Sequence, residues 1–320
     1  MSERVIFVVV KEIIKKIQPE IFQRTAMKFK QLVLNATVAF LAFALCSPLA
    51  VFAQSTPTAN SGQAFVIDDI EPEEGWWSGL PKEDKMMYTT GGSAIAIGLW
   101  GLAQWDYGSA DLHSTDEGWF GADSKYGGAD KLGHFWATYA FSDALTGLYK
   151  SWGYDSQTAN NYGALSAWLV QAAMEFGDAT SESQGFSWED MIANTIGALT
   201  SVVMERYPEL DRKIDFRVEY VFENEVNGIF DDYSNHYYSM ALKFDGFDTF
   251  QDSFMRYVEL HGGYYSRGYG EEDEENIRGV YAGVTLNFSR ILYEQEWNKT
   301  GKVLEYIQIP YSVVKAKHEL

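Results

Sequence analysis

The sequence predicts an α+β protein in which a bundle of about four helices precedes an antiparallel β-meander of about five strands. Two observations carry that prediction. Between residues 86 and 207, apolar residues recur at helical spacing in stretches such as "SAIAIGLWGLAQW", "FWATYAFSDALTGLY", "YGALSAWLVQAAMEF" and "MIANTIGALTSVVM". The Gly, Ala and Ser among them allow close helix–helix approach. After "IDFRVEYVFEN" the period becomes two: in "NIRGVYAGVTLNF", Val280, Ala282, Val284, Leu286 and Phe288 share one face, and Tyr281, Gly283, Thr285 and Asn287 share the other. A run of helices followed by a run of strands is the α+β pattern.

The elements follow in chain order. Residues 1–53 read as an upstream extension plus a signal peptide over 27–53. In "MKFKQLVLNATVAFLAFALCSPLAVFAQ", two lysines precede a long apolar stretch, Pro48 and the small residue Ala53. That layout predicts export, with cleavage before Gln54. Cys46 is the only cysteine, so an intramolecular disulfide and a thiolate zinc cluster are both excluded. The bulky Leu45 before it stands where a lipid-attachment signal takes a small residue, which argues against lipidation. Residues 54–75, polar and acidic, predict a flexible linker. The paired Trp76 and Trp77 are expected at the edge of a core. A helical domain with a polar centre is expected over 76–210, closed by Pro208, and an antiparallel β domain over 211–320. The apolar helical stretches are shorter than the ~20 residues of a membrane span. Five strands are fewer than the ~8 that close the smallest membrane barrels, so the sheet is expected to pack on the helices or on a membrane surface.

Composition narrows the function. With 46% hydrophobic and 16% aromatic residues the chain can build a sizeable core, and a net charge of −20 without a basic patch argues against nucleic acid. GxSxG, HExxH and phosphate-cradling glycine motifs are absent.

Three helical stretches each carry polar residues at same-face spacing. Asp130 and His134 are four apart, Glu175 and Asp178 three apart, and Asp190, Asn194 and Gly197 stand at i, i+4 and i+7, with Ser187 placed to cap that helix. Burying these groups is costly unless they meet, pair or bind something, so they are expected to converge. Three readings stay open. Asp130, His134, Glu175 and Asp178 could hold a divalent Zn, Mn or Mg ion. His134 could act as a general base oriented by Asp130 or Asp190, with Glu175 as an acid of raised pKa. Or the groups could form a hydrogen-bond network that fixes helix register. Lys131 lies off the Asp130–His134 face and is assigned to the rim, where it would contact an anionic head group. Glu117, Asp111, Asp116 and Asp123 read as solvated loop acids, and His113, His236 and His261 as packing or surface residues.

"EGWFGADSKYGGADKLGHF", "MEFGDATSESQGFSWEDMIANTIGA", "IDFRVEY" and "RGVYAGVTLNFSRIL" together resemble the YfiM-like family of uncharacterised bacterial periplasmic proteins. "DKLGH" and "EDMIANTIG" also look distantly like the VanZ-like membrane proteins. The resemblance implies an envelope location and a periplasmic lipoprotein, and it transfers no catalytic role. The expectation is an exported, membrane-associated envelope protein of the periplasm or outer membrane, whose partner is a membrane or envelope component. It would be either a hydrolase or transferase on a lipid or cell-wall substrate, or a non-catalytic assembly factor.

Overall fold

The computed structural model describes residues 75–222, 232–269 and 275–320. The signal segment, Cys46 and nearly all of the expected linker lie outside them. Four long helices come first: α1 (Lys82–Gln104), α2 (Ala129–Ser151), α3 (Ser156–Asp178) and α4 (Trp188–Arg206). Local chemistry starts two of them. The Asp155 carboxylate accepts the Thr158 N–H at 3.0 Å ahead of α3, and the Ser187 hydroxyl accepts the Asp190 N–H at 3.2 Å ahead of α4. Helix α4 ends at Arg206, and Pro208 then opens a short turn, α5 (Pro208–Asp211).

Helix α2 is central, with α3 and α4 on one side and the sheet on the other. A Cβ on Gly197 would lie 2.3 Å from the Phe135 carbonyl oxygen, and one on Gly163 would lie 2.8 Å from that of Ser142. At these two points the helices meet backbone to backbone. The seam between them is polar: Thr138, Ser142, Asn160, Asn194 and Ser201 are buried there. The outward stripes are apolar, with Leu165, Leu169 and Phe176 exposed on α3 and Ile192, Ile196, Leu199 and Val203 exposed on α4. This inverts the usual amphipathic helix.

Two short strands, β1 (Ser114–Thr115) and β2 (Phe186–Ser187), pair in parallel and tie the loop before α2 to the start of α4. The remaining strands are β3 (Ile214–Tyr220), β4 (His236–Lys243), β5 (Val258–Arg267), β6 (Ile277–Leu286), β7 (Ile307–Gln308) and β8 (Val314–Glu319). They form a six-stranded sheet of order β7-β3-β4-β5-β6-β8, antiparallel except where β7 runs parallel to β3. The sheet thus has one strand more than the expected meander of about five, β8 at its edge. Helices α6 (Phe288–Glu294) and α7 (Asn298–Val303) interrupt the C-terminal segment, the first capped where the Asn287 side chain accepts the Arg290 N–H at 2.8 Å.

The expected alternation is present, and its polar face is the buried one. Arg217 donates to Asp215 at 2.6 Å, to Glu259 at 2.7 Å and to Gln308 at 3.0 Å. Tyr237, Tyr265 and Tyr281 cluster beside them. The Lys317 ammonium on β8 sits 4.9 Å from the Tyr237 ring centroid on β4. Three strand spacings of a flat sheet would separate these strands by about 14 Å, so the sheet is strongly curled. Lys315 completes the curl by pairing with Glu219 of β3 at 2.6 Å. Met240, Leu260, Val280, Val284 and Val314 point outward and are exposed.

Helix α2 covers one part of that outer face. Phe135 and Tyr139 pack edge-on against Phe216, at 5.1 and 5.7 Å between centroids, and the Trp136 indole donates to the Tyr306 carbonyl at 3.0 Å. The Tyr264 hydroxyl donates to the Gly127 carbonyl. Of the tryptophan pair, Trp77 packs on Trp152, while Trp76 meets Trp77 and Tyr88 edge-on and is 71% exposed among the described residues.

Candidate functional site

The site begins with two glycines. Gly127 and Gly128 adopt φ of +63° and +83°, and a Cβ on Gly128 would lie 2.7 Å from the Trp119 carbonyl oxygen. Only glycine takes this path easily, and it folds the 117–128 loop under the N-terminus of α2. Glu117 is carried to Lys131 as a result, and the two meet at 2.7 Å.

Lys131 is the centre of a charge cluster. Its ammonium lies 2.7 Å from Glu117, 2.7 Å from Asp130 and 2.9 Å from Asp190, and the residue is 2% exposed. The rim position and the anionic head group expected for Lys131 are therefore corrected. The helix-face argument locates Cβ, but four flexible methylenes swing the ammonium inward to three carboxylates. Burial opposes the charge on Lys131, yet Asp130, Asp190 and Glu117 hold its pKa above the ordinary lysine value. Glu117 is corrected as well. It is buried rather than solvated; burial pushes its carboxyl up, and the Lys131 and Lys125 ammonium groups override this and hold it at about 2.

His134 stands one turn further along α2, facing α3 and α4. Its Nδ1 is 3.5 Å from Glu175 Oε1 and its Nε2 is 3.8 Å from Asp190 Oδ1. Neither the Nδ1 nor the Glu175 Oε1 has a hydrogen-bond partner, although both are buried. The other Glu175 oxygen accepts the Ser187 N–H at 3.4 Å. Burial, reinforced by the charges of Asp190 and Asp178, pushes Glu175 up to about 8. Burial also disfavours the imidazolium of His134, but Asp190, Glu175 and Asp130 outweigh it and raise the pKa above the ordinary value. Asp130 and Asp178 are both pushed up to about 6, chiefly by burial.

Asn194 lies one turn deeper. Its Oδ1 accepts from Thr138 at 2.8 Å and from Gln171 at 3.4 Å, and Thr138 also donates back to the His134 carbonyl at 2.8 Å. Asn194 therefore steadies the backbone that carries the imidazole without touching it. Asp178 lines the same cavity as His134, Glu175 and Asp190, a space of about 410 Å³ walled on its far side by Tyr126, Tyr233 and Tyr238.

The residues divide into two halves. Around Lys131 every carboxylate is bridged by an ammonium group. Around His134 the polar atoms face one another without bonding and reach the cavity. For a divalent ion, the ligand atoms of His134, Glu175 and Asp190 lie within 4.8 Å of one another. Those of Glu117, Asp130 and Asp190 do too, but Lys131 already supplies the cation there. The expected set of Asp130, His134, Glu175 and Asp178 is thus rearranged, because it is Asp190 that comes within reach of both His134 and Glu175, with its Oδ1 shared with Lys131 at 2.9 Å. An imidazole with two carboxylates is a donor set suited to Zn or Mn.

Residues 116–206 match a family model. Its description is "Predicted periplasmic lipoprotein (DUF2279)", and the matched span is under a third of the 320 residues. Glu117, Asp130, Lys131, His134, Glu175, Asp178, Asp190 and Asn194 all lie within it. The match supports an uncharacterised periplasmic domain in an exported, membrane-associated protein. No curated protein and no solved structure matches the chain.

Proposed function

We propose that the chain is an envelope enzyme, a hydrolase or transferase acting on a lipid or cell-wall substrate by proton transfer in the helix-bundle centre. The observation that carries this reading is the unbonded pair of His134 Nδ1 and Glu175 Oε1, 3.5 Å apart on the wall of the 410 Å³ cavity. Buried polar atoms are nearly always satisfied, and a purely structural network has no reason to leave a matched donor and acceptor open to a cavity.

In this reading His134 takes the proton of an attacking water or hydroxyl. Glu175, kept protonated through neutral pH by its burial, gives its proton to the leaving oxygen. Asp190 faces Nε2 and stabilises the imidazolium that forms. Asn194 and Thr138 are positioning residues. Lys131, with Glu117 and Asp130, is framework that holds α2, α4 and the preceding loop together. If a divalent ion binds, His134, Glu175 and Asp190 would hold it, and it would supply Lewis acidity in place of the proton transfer by His134 and Glu175. The YfiM-like and VanZ-like resemblances, and an outer-membrane location, are compatible with this reading without naming a reaction.

The test incubates the purified full-length protein with envelope lipid and peptidoglycan extracts and follows products by mass spectrometry. Wild type should form a product, and His134→Asn should form at least a hundredfold less with its melting temperature within 2–3 °C. Loss of the folded state in His134→Asn and His134→Gln alike would instead favour the assembly-factor reading.

A further inference from the structure

A second cavity of about 370 Å³ opens beside the first, between α2, α4 and the outer face of the sheet. Its walls are apolar: Leu132, Phe135 and Trp136 from α2, Ile196 from α4, and Phe216 and Met240 from the sheet. The strand register explains the space. Phe216, Met240, Gly262, Ala282 and Ala316 stand opposite one another on successive strands. The side chains therefore shrink outward from Met240, and a trough runs across the strands between the rows of Val280 and Val284. A Cβ on Gly262 would meet nothing within 4 Å.

Three observations say what fits there. The trough adjoins the polar cavity, and Trp136 and Tyr238 line both. Four of the trough's own large lining residues, Trp119, Phe120, Ile196 and Met240, are exposed, so an apolar molecule could enter from a lipid phase without crossing water. The polar end is lined by Glu117, Asp130, Glu175, Asp178 and Asp190, and the two cations that line the trough are already engaged, Lys131 by Glu117, Asp130 and Asp190 and Arg217 by Asp215 and Glu259, which disfavours an anionic head group.

We infer that the trough seats one acyl chain of a lipid whose head group is uncharged or bears an ammonium, and that it delivers the head-group linkage to His134 and Glu175. The second clause rests on the catalytic reading above; the first does not. Both cavities fall at the small end of the ~300–1,000 Å³ usual for ligand sites, which fits a single chain better than two.

A monoacylglycerol carrying a diazirine in its acyl chain is the probe, photolysed with the full-length protein in a nonionic detergent, with adducts mapped by mass spectrometry. Adducts are expected on Phe135, Trp136 and Met240, at least tenfold fewer in Gly262→Phe, and fewer from the corresponding fatty-acid anion. Met240→Trp narrows the same trough and replaces Gly262→Phe if that variant does not fold. Adducts spread over the exposed stripe of α3, or unchanged in the folded trough variant, would overturn the inference. His134→Asn should keep the adducts while losing turnover. Adducts without any wild-type turnover would sink the catalytic reading alone, and turnover without trough adducts would sink the acyl-chain seat alone.

Discussion

Glu175→Gln isolates the proton at the centre of the site. The carboxyl is 1% exposed and its pKa is raised from 4.5 to about 8. Between those values the folded state holds a proton that the unfolded state has lost. Raising the pH in that window therefore favours unfolding by up to about 1.4 kcal/mol per pH unit, less as the folded pKa is reached, or roughly 2 kcal/mol from pH 6 to pH 8. His134 acts in the same direction: its pKa is raised, so the stability it adds is present below its unfolded value and is lost as pH rises through the folded one. Because the two groups face each other across one gap, a single slope of about 2–3 kcal/mol is expected for the pair. Glu117, depressed to about 2, contributes stability that is lost only on acidification and stays constant over this range. The glutamine amide cannot ionise, yet its oxygen can keep the Ser187 N–H and its NH₂ can face His134 Nδ1. Urea unfolding followed by tryptophan fluorescence in a nonionic detergent, at pH 6, 7 and 8, should show the wild-type decline reduced to under about 1 kcal/mol in Glu175→Gln, with the variant the more stable of the two at pH 8. An unchanged slope would refute the assignment of that proton to Glu175.

Lys131→Met should cost about 3–5 kcal/mol at pH 7, because it strands the carboxylates of Glu117, Asp130 and Asp190 without their shared cation. The same unfolding assay should find the loss shrinking on acidification, as Asp130, already pushed up to about 6 by burial, takes up a proton. Gly197→Val should cost at least ~2 kcal/mol by forcing a methyl-bearing carbon onto the Phe135 carbonyl. It should also speed amide exchange around Thr138 and Asn194, since those helices can no longer meet at their present separation.

The order of helices then strands is legible because hydrophobic periodicity is a local property. So are the Ser187 cap and the pairing of Asp130 with His134 on one face of α2, which follow from spacings of three and four. The direction of Lys131 is not, because periodicity fixes Cβ and leaves a long side chain free to find its partners. Glu117 is one acid among several in its loop, and only the turn at Gly127 and Gly128 selects it. For β6, alternation separates Val280 and Val284 from Tyr281 and Thr285 but does not say which row faces inward. That is decided by charged residues on separate strands that pair on the inner face, Arg217 with Glu259 and Lys315 with Glu219.

The inverted helices bear on how such a chain could pass an export channel. Polar residues interrupt the apolar ones in the linear sequence, Ser166, Gln171 and Glu175 between Leu165 and Phe176, and Asn194, Thr195, Thr200 and Ser201 between Ile192 and Val203. No described helix is long and apolar enough to cross a membrane. A translocating chain threads in a linear order, so the described helices present no long greasy run at which lateral release into the inner bilayer would be favoured. The apolar stripe comes into being only when the helix winds and its polar seam finds partners. Affinity for lipid is thereby deferred until folding, on the far side of the membrane.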